Sequence, residues 1–257
     1  MNTLGIIGMG NMGTALYKGV TASASCKGKD IEVYTYDKFK PGGAPLPRLV
    51  ETCRYILLAV KPQQLGEVLE EIAPLLNSEH ILISICAGIS AGYIQNAVKP
   101  LELPVVQVMP NTPMMLGEGA AAVAFSGNFS PDQKEFVRTV IGSCSPIVEV
   151  IPPDKMNEII CINGSSPAFT YLFAEAFMDY AAQQEIPPEP ALRLFAQTLI
   201  GAGRMLMESG MSPQELIAQV SSKGGTTVAG LEQLRANGFV AAVQAACEAC
   251  TKRAYEL

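Results

Sequence analysis

In the N-terminal part of the chain, apolar residues come in short blocks separated by glycine, proline and charged residues. Leu4–Gly8, Ile31–Tyr36, Tyr55–Val60, Ile81–Ile85 and Val105–Met109 each read as a strand of about five residues. Tyr55–Val60 is apolar at almost every position, as expected of a strand covered on both faces. Between the strands the period lengthens. Asn11–Val20 and Gln63–Leu75 carry apolar residues at helical spacing. Ala120–Phe125 and Pro146–Ile151 are read as further strands, with a Pro131–Ile141 helix between them. The segment Pro41-Gly42-Gly43-Ala44-Pro45-Leu46-Pro47 is read as a loop standing in place of a helix between the second and third strands. This order predicts an α/β fold, a Rossmann-type doubly wound sheet that is mostly parallel.

At Ile151-Pro152-Pro153-Asp154 the pattern changes, and strand signals cease. The rest reads as helices interrupted at Gly164-Ser165-Ser166-Pro167, Pro187-Pro188, Gly210 and Gly224-Gly225. Phe239–Tyr255 is apolar around much of its circumference, so it must bury more than one face. The expected division is residues 1–151 as a dinucleotide-binding domain and 152–257 as an all-helical domain for dimerisation and substrate binding.

Composition narrows the picture. The chain has 257 residues, 49% of them hydrophobic and only 16% charged, which implies a large buried core or extra burial in an oligomer interface. A net charge of −6, without a basic run longer than a pair, argues against a nucleic-acid partner. No export signal precedes Leu4 and no apolar run is long enough for a membrane span, so a soluble, cytoplasmic protein is expected. The seven cysteines (26, 53, 86, 144, 161, 247 and 250) lack metal-ligand spacing and are read as reduced, buried thiols, with no metal site.

The chemistry begins at Gly8-Met9-Gly10-Asn11-Met12-Gly13, between a strand and a helix. Gly8 allows a tight turn, Gly10 lets the backbone approach a pyrophosphate, and Gly13 lets the helix pack closely on the sheet. At the end of the second strand, Asp37 is placed to accept hydrogen bonds from ribose hydroxyls, whereas Lys38 and Lys40 are placed to meet the extra phosphate of NADPH. The expected cofactor is therefore NADPH or NADH. Ala59-Val60-Lys61-Pro62 and Cys86-Ala87-Gly88 end the third and fourth strands, where small residues leave room for the nicotinamide and a lysine can pair with cofactor or substrate. The sole histidine, His80, is read as a surface turn residue, so Cys86 has no histidine partner for nucleophilic work.

Far along the chain stands Ser221-Ser222-Lys223-Gly224-Gly225-Thr226-Thr227. Glycines and threonines at a helix start expose N–H groups that no helical carbonyl satisfies, so the segment suits a small carboxylate. A dinucleotide at one end of the chain and a carboxylate at the other suggest a reductase of a small acid.

The series Gly8-x-Gly10-x-x-Gly13, Ala59-Val60-Lys61-Pro62, Val108-Met109-Pro110-Asn111-Thr112-Pro113 and Ser221–Thr227 resembles pyrroline-5-carboxylate reductase over nearly the whole chain. The resemblance implies hydride transfer from NAD(P)H to the C=N bond of a cyclic imine carboxylate, giving L-proline in proline biosynthesis. It also implies a pocket shared between two protomers, and dimers that assemble into decamers. Thr227 and Lys61 are then the catalytic candidates. Ser222, Gly224, Gly225, Thr226, Met109, Pro110 and Asn111 join Thr227 as substrate-binding candidates. Three features depart from the family pattern: Ser166 stands where glycine is usual, Gln107 stands where arginine is usual, and the loop between the second and third strands is shorter than usual. Two other readings stay open, a dinucleotide-binding paralogue with a sensor or assembly role and a reductase of a related cyclic imine acid. A 3-hydroxyacid dehydrogenase is disfavoured because Lys155 is followed one turn later by Ile159 and not by asparagine.

Overall fold

The structure, a computed structural model, describes residues 2–256. Two compact units are present: residues 1–167 with 249–257, and residues 168–248.

The first unit is built on a seven-stranded sheet. The strands are β1 (Asn2–Ile7), β2 (Ile31–Tyr36), β3 (Tyr55–Leu58), β4 (Ile81–Ser84), β5 (Val105–Pro110), β6 (Ala120–Ser126) and β7 (Ile147–Val150), in the spatial order β2-β1-β3-β4-β5-β6-β7. All neighbours are parallel except β5 and β6, which pair antiparallel with Val108 opposite Val123. The connections are α1 (Asn11–Ala22), a short α2 (Ala24–Lys27), α3 (Leu46–Thr52), α4 (Leu65–Ile72), α5 (Ala91–Ala97) and α6 (Pro131–Gly142). From β1 the chain runs outward to β2, then returns to the other side of β1 to begin β3. The topological switch point thus lies between β1 and β3, and in open α/β sheets ligands bind there, at the carboxyl ends of the strands.

Strand periodicity divides the core into two layers. Leu4, Ile6, Leu57 and Ile83 face one side, against Leu16 and Val20 of α1 and Phe136, Val137 and Val140 of α6. Ile7, Ile56, Leu58 and Leu82 face the other, against Leu49 of α3, Leu65, Leu69 and Ile72 of α4 and Ile94 of α5. Because both faces are covered, β3 reads as a continuous apolar run.

Three expectations need correction. The stretch between β2 and β3 is not only loop, since α3 begins within it. Pro47 falls in the first turn, where a missing N–H breaks no helical bond, and Leu46, Leu49 and Val50 form a buried stripe. His80 is no surface residue but is 4% exposed. Its Nδ1 accepts from the Asn77 N–H at 2.9 Å and its Nε2 donates to the Val50 carbonyl at 2.9 Å, which ties the turn before β4 to α3. Cys161 and Cys247 are each disulfide-bonded and so are not reduced thiols, whereas Cys26, Cys53, Cys86, Cys144 and Cys250 are free.

The second unit holds most of α7 (Ser166–Gln183), then α8 (Pro188–Glu208), α9 (Pro213–Gln219), α10 (Thr226–Ala236) and the start of α11 (Phe239–Tyr255). The predicted break at Gly164–Pro167 is a π-helical turn, Ile160–Ser165, that runs directly into α7. Phe173, Phe177, Phe195 and Phe239 form an aromatic cluster with ring centroids 4.4–6.0 Å apart. Yet among residues 168–248 only Ala181 is buried, while Leu172, Leu194, Ile200 and Met207 are more than half exposed. A set of apolar helices with almost no core of its own needs a further surface to cover it.

Candidate active site

A cleft opens at the switch point. It is lined by Gly8 and Gly10 after β1, by Tyr36–Phe39 after β2, by Ala59–Lys61 after β3, and by Glu67, Val68 and Glu71 on α4. Each glycine of the fingerprint has a distinct physical reason. Gly8 has φ +100°, and a Cβ there would sit 2.7 Å from the Ala59 carbonyl oxygen. A Cβ on Gly13 would overlap the Gly8 carbonyl oxygen, so α1 packs against the loop that precedes it. A Cβ on Gly10 would meet nothing within 4 Å. The protein does not require glycine at that place, but a ligand approaching the backbone would.

The start of α1 supplies donors. Its first helical bond is Thr14 N–H to Gly10 carbonyl at 2.9 Å, and no side chain caps the helix. The N–H groups of Asn11, Met12 and Gly13 precede that bond and, with the helix dipole, form an anion site that suits a pyrophosphate. Met9 is fixed on three sides. Its N–H donates to Asp37 Oδ2 at 2.7 Å, and its carbonyl accepts from Thr14 Oγ1 at 3.1 Å and from Lys40 Nζ. Asp37 Oδ1 also accepts from the Phe39 N–H at 2.9 Å. Lys38 Nζ lies 3.6 Å from Glu67 and 3.6 Å from Glu71. Lys61, exposed at the end of β3, precedes the 3₁₀ turn Pro62–Gln64.

The same sheet edge continues through β4 and β5. Cys86 is buried, with Sγ 3.3 Å from the Val60 carbonyl, and burial pushes its thiol up to about 11. It is a wall residue and not a nucleophile. Ala87 packs against a cluster containing Met109, Ala122 and Met156, and Gly88 turns the chain with φ +77°. Gln107 Nε2 donates to the Ile89 carbonyl at 3.0 Å and so supports this loop. Met109 and Pro110 are buried at the end of β5. Asn111 Oδ1 accepts the Ala120 N–H at 2.9 Å.

Asn163 was not among the sequence candidates. From the π-helical turn it donates Nδ2 to the carbonyls of Met109 and Ala120, and Asn111 Nδ2 reaches its Oδ1 at 3.5 Å. One side chain therefore ties that turn to both strands flanking the Met-Pro-Asn segment. An unusual π-turn at such a place often marks function. No periodicity flagged Asn163, because its partners are main-chain atoms more than 40 residues away.

The carboxylate-binding candidates lie in the second unit. The Gly225 N–H donates to the Ser222 carbonyl at 2.9 Å, closing a turn in which Gly224 has φ +74°. A Cβ on Gly225 would stand 2.6 Å from Ser222 Oγ. Gly225 therefore does not offer the free N–H that the sequence suggested. Helix α10 begins at Thr226 with no side-chain cap, and its first helical bond is Ala229 N–H to Gly225 carbonyl at 3.4 Å. The open donors are the N–H groups of Thr226, Thr227 and Val228. Thr227 is exposed, and Ser221 Oγ is shielded from solvent with no protein hydrogen-bond partner.

A doubly wound sheet with an open cleft at its switch point, followed by a set of helices, is the architecture of a nicotinamide-dependent oxidoreductase. Comparison with known proteins narrows this class. Residues 153–257 match the family model described as pyrroline-5-carboxylate reductase dimerisation, and residues 3–88 match that of coenzyme F420-dependent NADP oxidoreductases. The chain is 36% identical to pyrroline-5-carboxylate reductase 3 of Danio rerio, covering 99% of this chain and 91% of that protein. It is 31% identical to the pyrroline-5-carboxylate reductase of Escherichia coli, covering 99% and 97%. The crystal structure of Plasmodium falciparum pyrroline carboxylate reductase with NADP bound superposes with a TM-score of 0.88 at 32% identity, covering 99% and 97%. The chain belongs to the pyrroline-5-carboxylate reductase family.

Proposed function

We propose that the chain reduces 1-pyrroline-5-carboxylate to L-proline with NADPH or NADH, as the reductive step of proline biosynthesis. One observation carries the reading. An open cradle at Gly10, beside three free N–H groups of α1, occurs in the same chain as three free N–H groups at the start of α10. One site takes a pyrophosphate and the other a small carboxylate, and family membership supports both assignments.

When bound, a reduced dinucleotide would supply the hydride for the imine carbon. The chain holds and orients the reactants, which for two bound molecules is a large part of the acceleration. Asn11, Met12 and Gly13 hold the pyrophosphate, Asp37 and Lys38 flank the adenosine end, and Ala59–Pro62 and Cys86–Gly88 leave room for the nicotinamide end. The N–H groups of Thr226, Thr227 and Val228 hold the substrate carboxylate, with Ser222 beside them and the buried Ser221 hydroxyl awaiting a partner. The Thr227 hydroxyl orients the imine nitrogen or relays a proton to it from water, since a hydroxyl is too weak an acid to donate outright. Lys61 is the cation at the end of β3 and has no ion-pair partner among the described residues.

The working unit is a homodimer, with residues from 152 onward as its assembly and substrate-binding domain. The bare apolar surface of α7–α10 and the match to a dimerisation domain support this. Higher assembly into decamers belongs to the same proposal. Among the described residues no helix is long and apolar enough to cross a membrane. We place the activity in the cytoplasm.

The test is an assay with the cyclic imine and each reduced dinucleotide, following both dinucleotide oxidation and proline formation by mass spectrometry. Dinucleotide binding without turnover of this or any related cyclic imine acid would instead favour a sensor role.

A further inference from the structure

We propose that the adenosine end of the cleft is built for a free ribose 2′-hydroxyl and against a 2′-phosphate, so that NADH is the preferred dinucleotide. This rests on reading the cleft as a dinucleotide site, and concerns which dinucleotide it selects.

Asp37 sets the selectivity of the adenosine end. It follows the last residue of β2, beside the switch point, and is partly buried. Both carboxylate oxygens are fixed by backbone donors, Met9 N–H at 2.7 Å and Phe39 N–H at 2.9 Å. The two N–H donors fix the group and prevent it from swinging aside. An ionised carboxylate is acceptor-only, and each oxygen keeps a lone pair for a hydroxyl donor. A 2′-phosphate is also acceptor-only and anionic. It would find no proton to share with Asp37, only like charge, and partial burial limits the screening of that repulsion.

The cations that would reverse this preference are already engaged. Lys38 Nζ is drawn to Glu67 and Glu71, one helical turn apart on α4, at 3.6 Å from each. Lys40 Nζ donates to the Met9 carbonyl, where it braces the glycine loop. Among the described residues lining the cleft there is no arginine, the side chain whose planar fork suits a phosphate. The arrangement combines a favourable partner for the hydroxyl with a repulsive one for the phosphate, and discrimination between two close ligands generally needs both.

The experiment titrates purified full-length protein with NADH and with NADPH, following the enhancement of nicotinamide fluorescence. The chain has no tryptophan to compete for the excitation light. The expected Kd for NADPH is at least about tenfold weaker than for NADH, equivalent to about 1.4 kcal/mol. Asp37→Ser should bring the two constants to within about threefold of each other. Glu67→Gln/Glu71→Gln, at exposed positions that do not support the core, releases Lys38 and should tighten NADPH more than NADH. Ratios of kcat/KM for the two dinucleotides should follow the binding ratios. A wild-type ratio at or below one overturns the proposal, as does a ratio that neither variant moves. Those outcomes leave the reductase reading standing if the imine is still reduced. Absence of binding by either dinucleotide would overturn both.

Discussion

Two of the fingerprint glycines should respond oppositely to the same added methyl group, one through stability and one through binding. Gly13→Ala places a Cβ onto the Gly8 carbonyl oxygen and within 3.2 Å of the Ala59 Cβ. A backbone oxygen cannot rotate away, so the loop or α1 must shift. Overpacking of this kind costs about 3 kcal/mol at the upper end of the usual range. Alanine recovers about 1 kcal/mol of helix propensity. The net loss of about 2 kcal/mol corresponds to a fall in Tm of roughly 4–8 °C for a chain of this size. Gly10→Ala meets no atom within 4 Å, and its φ of −69° and ψ of −167° suit alanine. As the N-cap of α1, alanine there loses about 0.5–1 kcal/mol relative to glycine. The reduced freedom of the unfolded chain returns about 0.4–1 kcal/mol. Its Tm should therefore stay within about 2 °C of wild type. The Cβ instead occupies space the pyrophosphate needs, and the Kd for either dinucleotide should rise at least about tenfold. Thermal unfolding at one fixed protein concentration, beside dinucleotide titration, reads both effects. A Gly10→Ala variant that binds as tightly as wild type would refute the placement of the pyrophosphate. An unchanged Tm for Gly13→Ala would refute the close approach of α1.

Other predictions test the remaining parts of the molecule. Asn163→Asp keeps the shape but sets a carboxylate oxygen against the Met109 and Ala120 carbonyls. It should destabilise by about 1–3 kcal/mol and lower kcat/KM for the imine while changing dinucleotide Kd little, and a simultaneous loss of dinucleotide binding would contradict a local positioning role. Thr227→Ala should lower kcat far more than it weakens dinucleotide binding, since the hydroxyl serves the imine; full kcat and KM would remove Thr227 from the mechanism. Sedimentation at micromolar concentration should show a dimer or larger and no active monomer, because residues 168–248 bury only Ala181 within one chain. Cys86, with its thiol pushed up to about 11 by burial, is about one part in a thousand thiolate at pH 8. Iodoacetamide followed by peptide mass spectrometry should find it unmodified there, and rapid labelling would show that the site opens.

Most of the architecture was legible because it rests on local patterns. A short apolar run bounded by glycine, proline or charged residues reads as a strand; buried β3 and β4 are the plainest cases, whereas β2 and the largely exposed β7 carry weaker patterns. Helix α3 was not legible, since the two prolines around Leu46 suggest a loop until Leu46, Leu49 and Val50 are seen against the sheet. His80 misled for the same reason. A histidine among Asn77, Ser78 and Glu79 reads as solvated, and only its bond to the Val50 carbonyl, thirty residues back, shows it buried.

The candidate site divides along the same line. Gly8, Gly10 and Gly13 were legible as a dinucleotide fingerprint because their spacing falls between an apolar strand and a helix, within one strand–turn–helix unit. The Gly224-Gly225-Thr226-Thr227 start of α10 was likewise legible as a candidate anion site, although the fold engages the Gly225 N–H. Tertiary structure decided how Asp37, Lys38 and Lys40 are used. As a sequence they are one acid and two bases at a turn, with opposing implications for the cofactor. In the fold, Met9 and Phe39 fix the acid, α4 draws Lys38 away and the glycine loop engages Lys40. Asn163 shows the same limit, since its partners are carbonyl oxygens that every residue possesses. Sequence carries the constraints that neighbouring residues impose on one another, whereas charges and hydrogen bonds between distant segments exist only after the chain has folded.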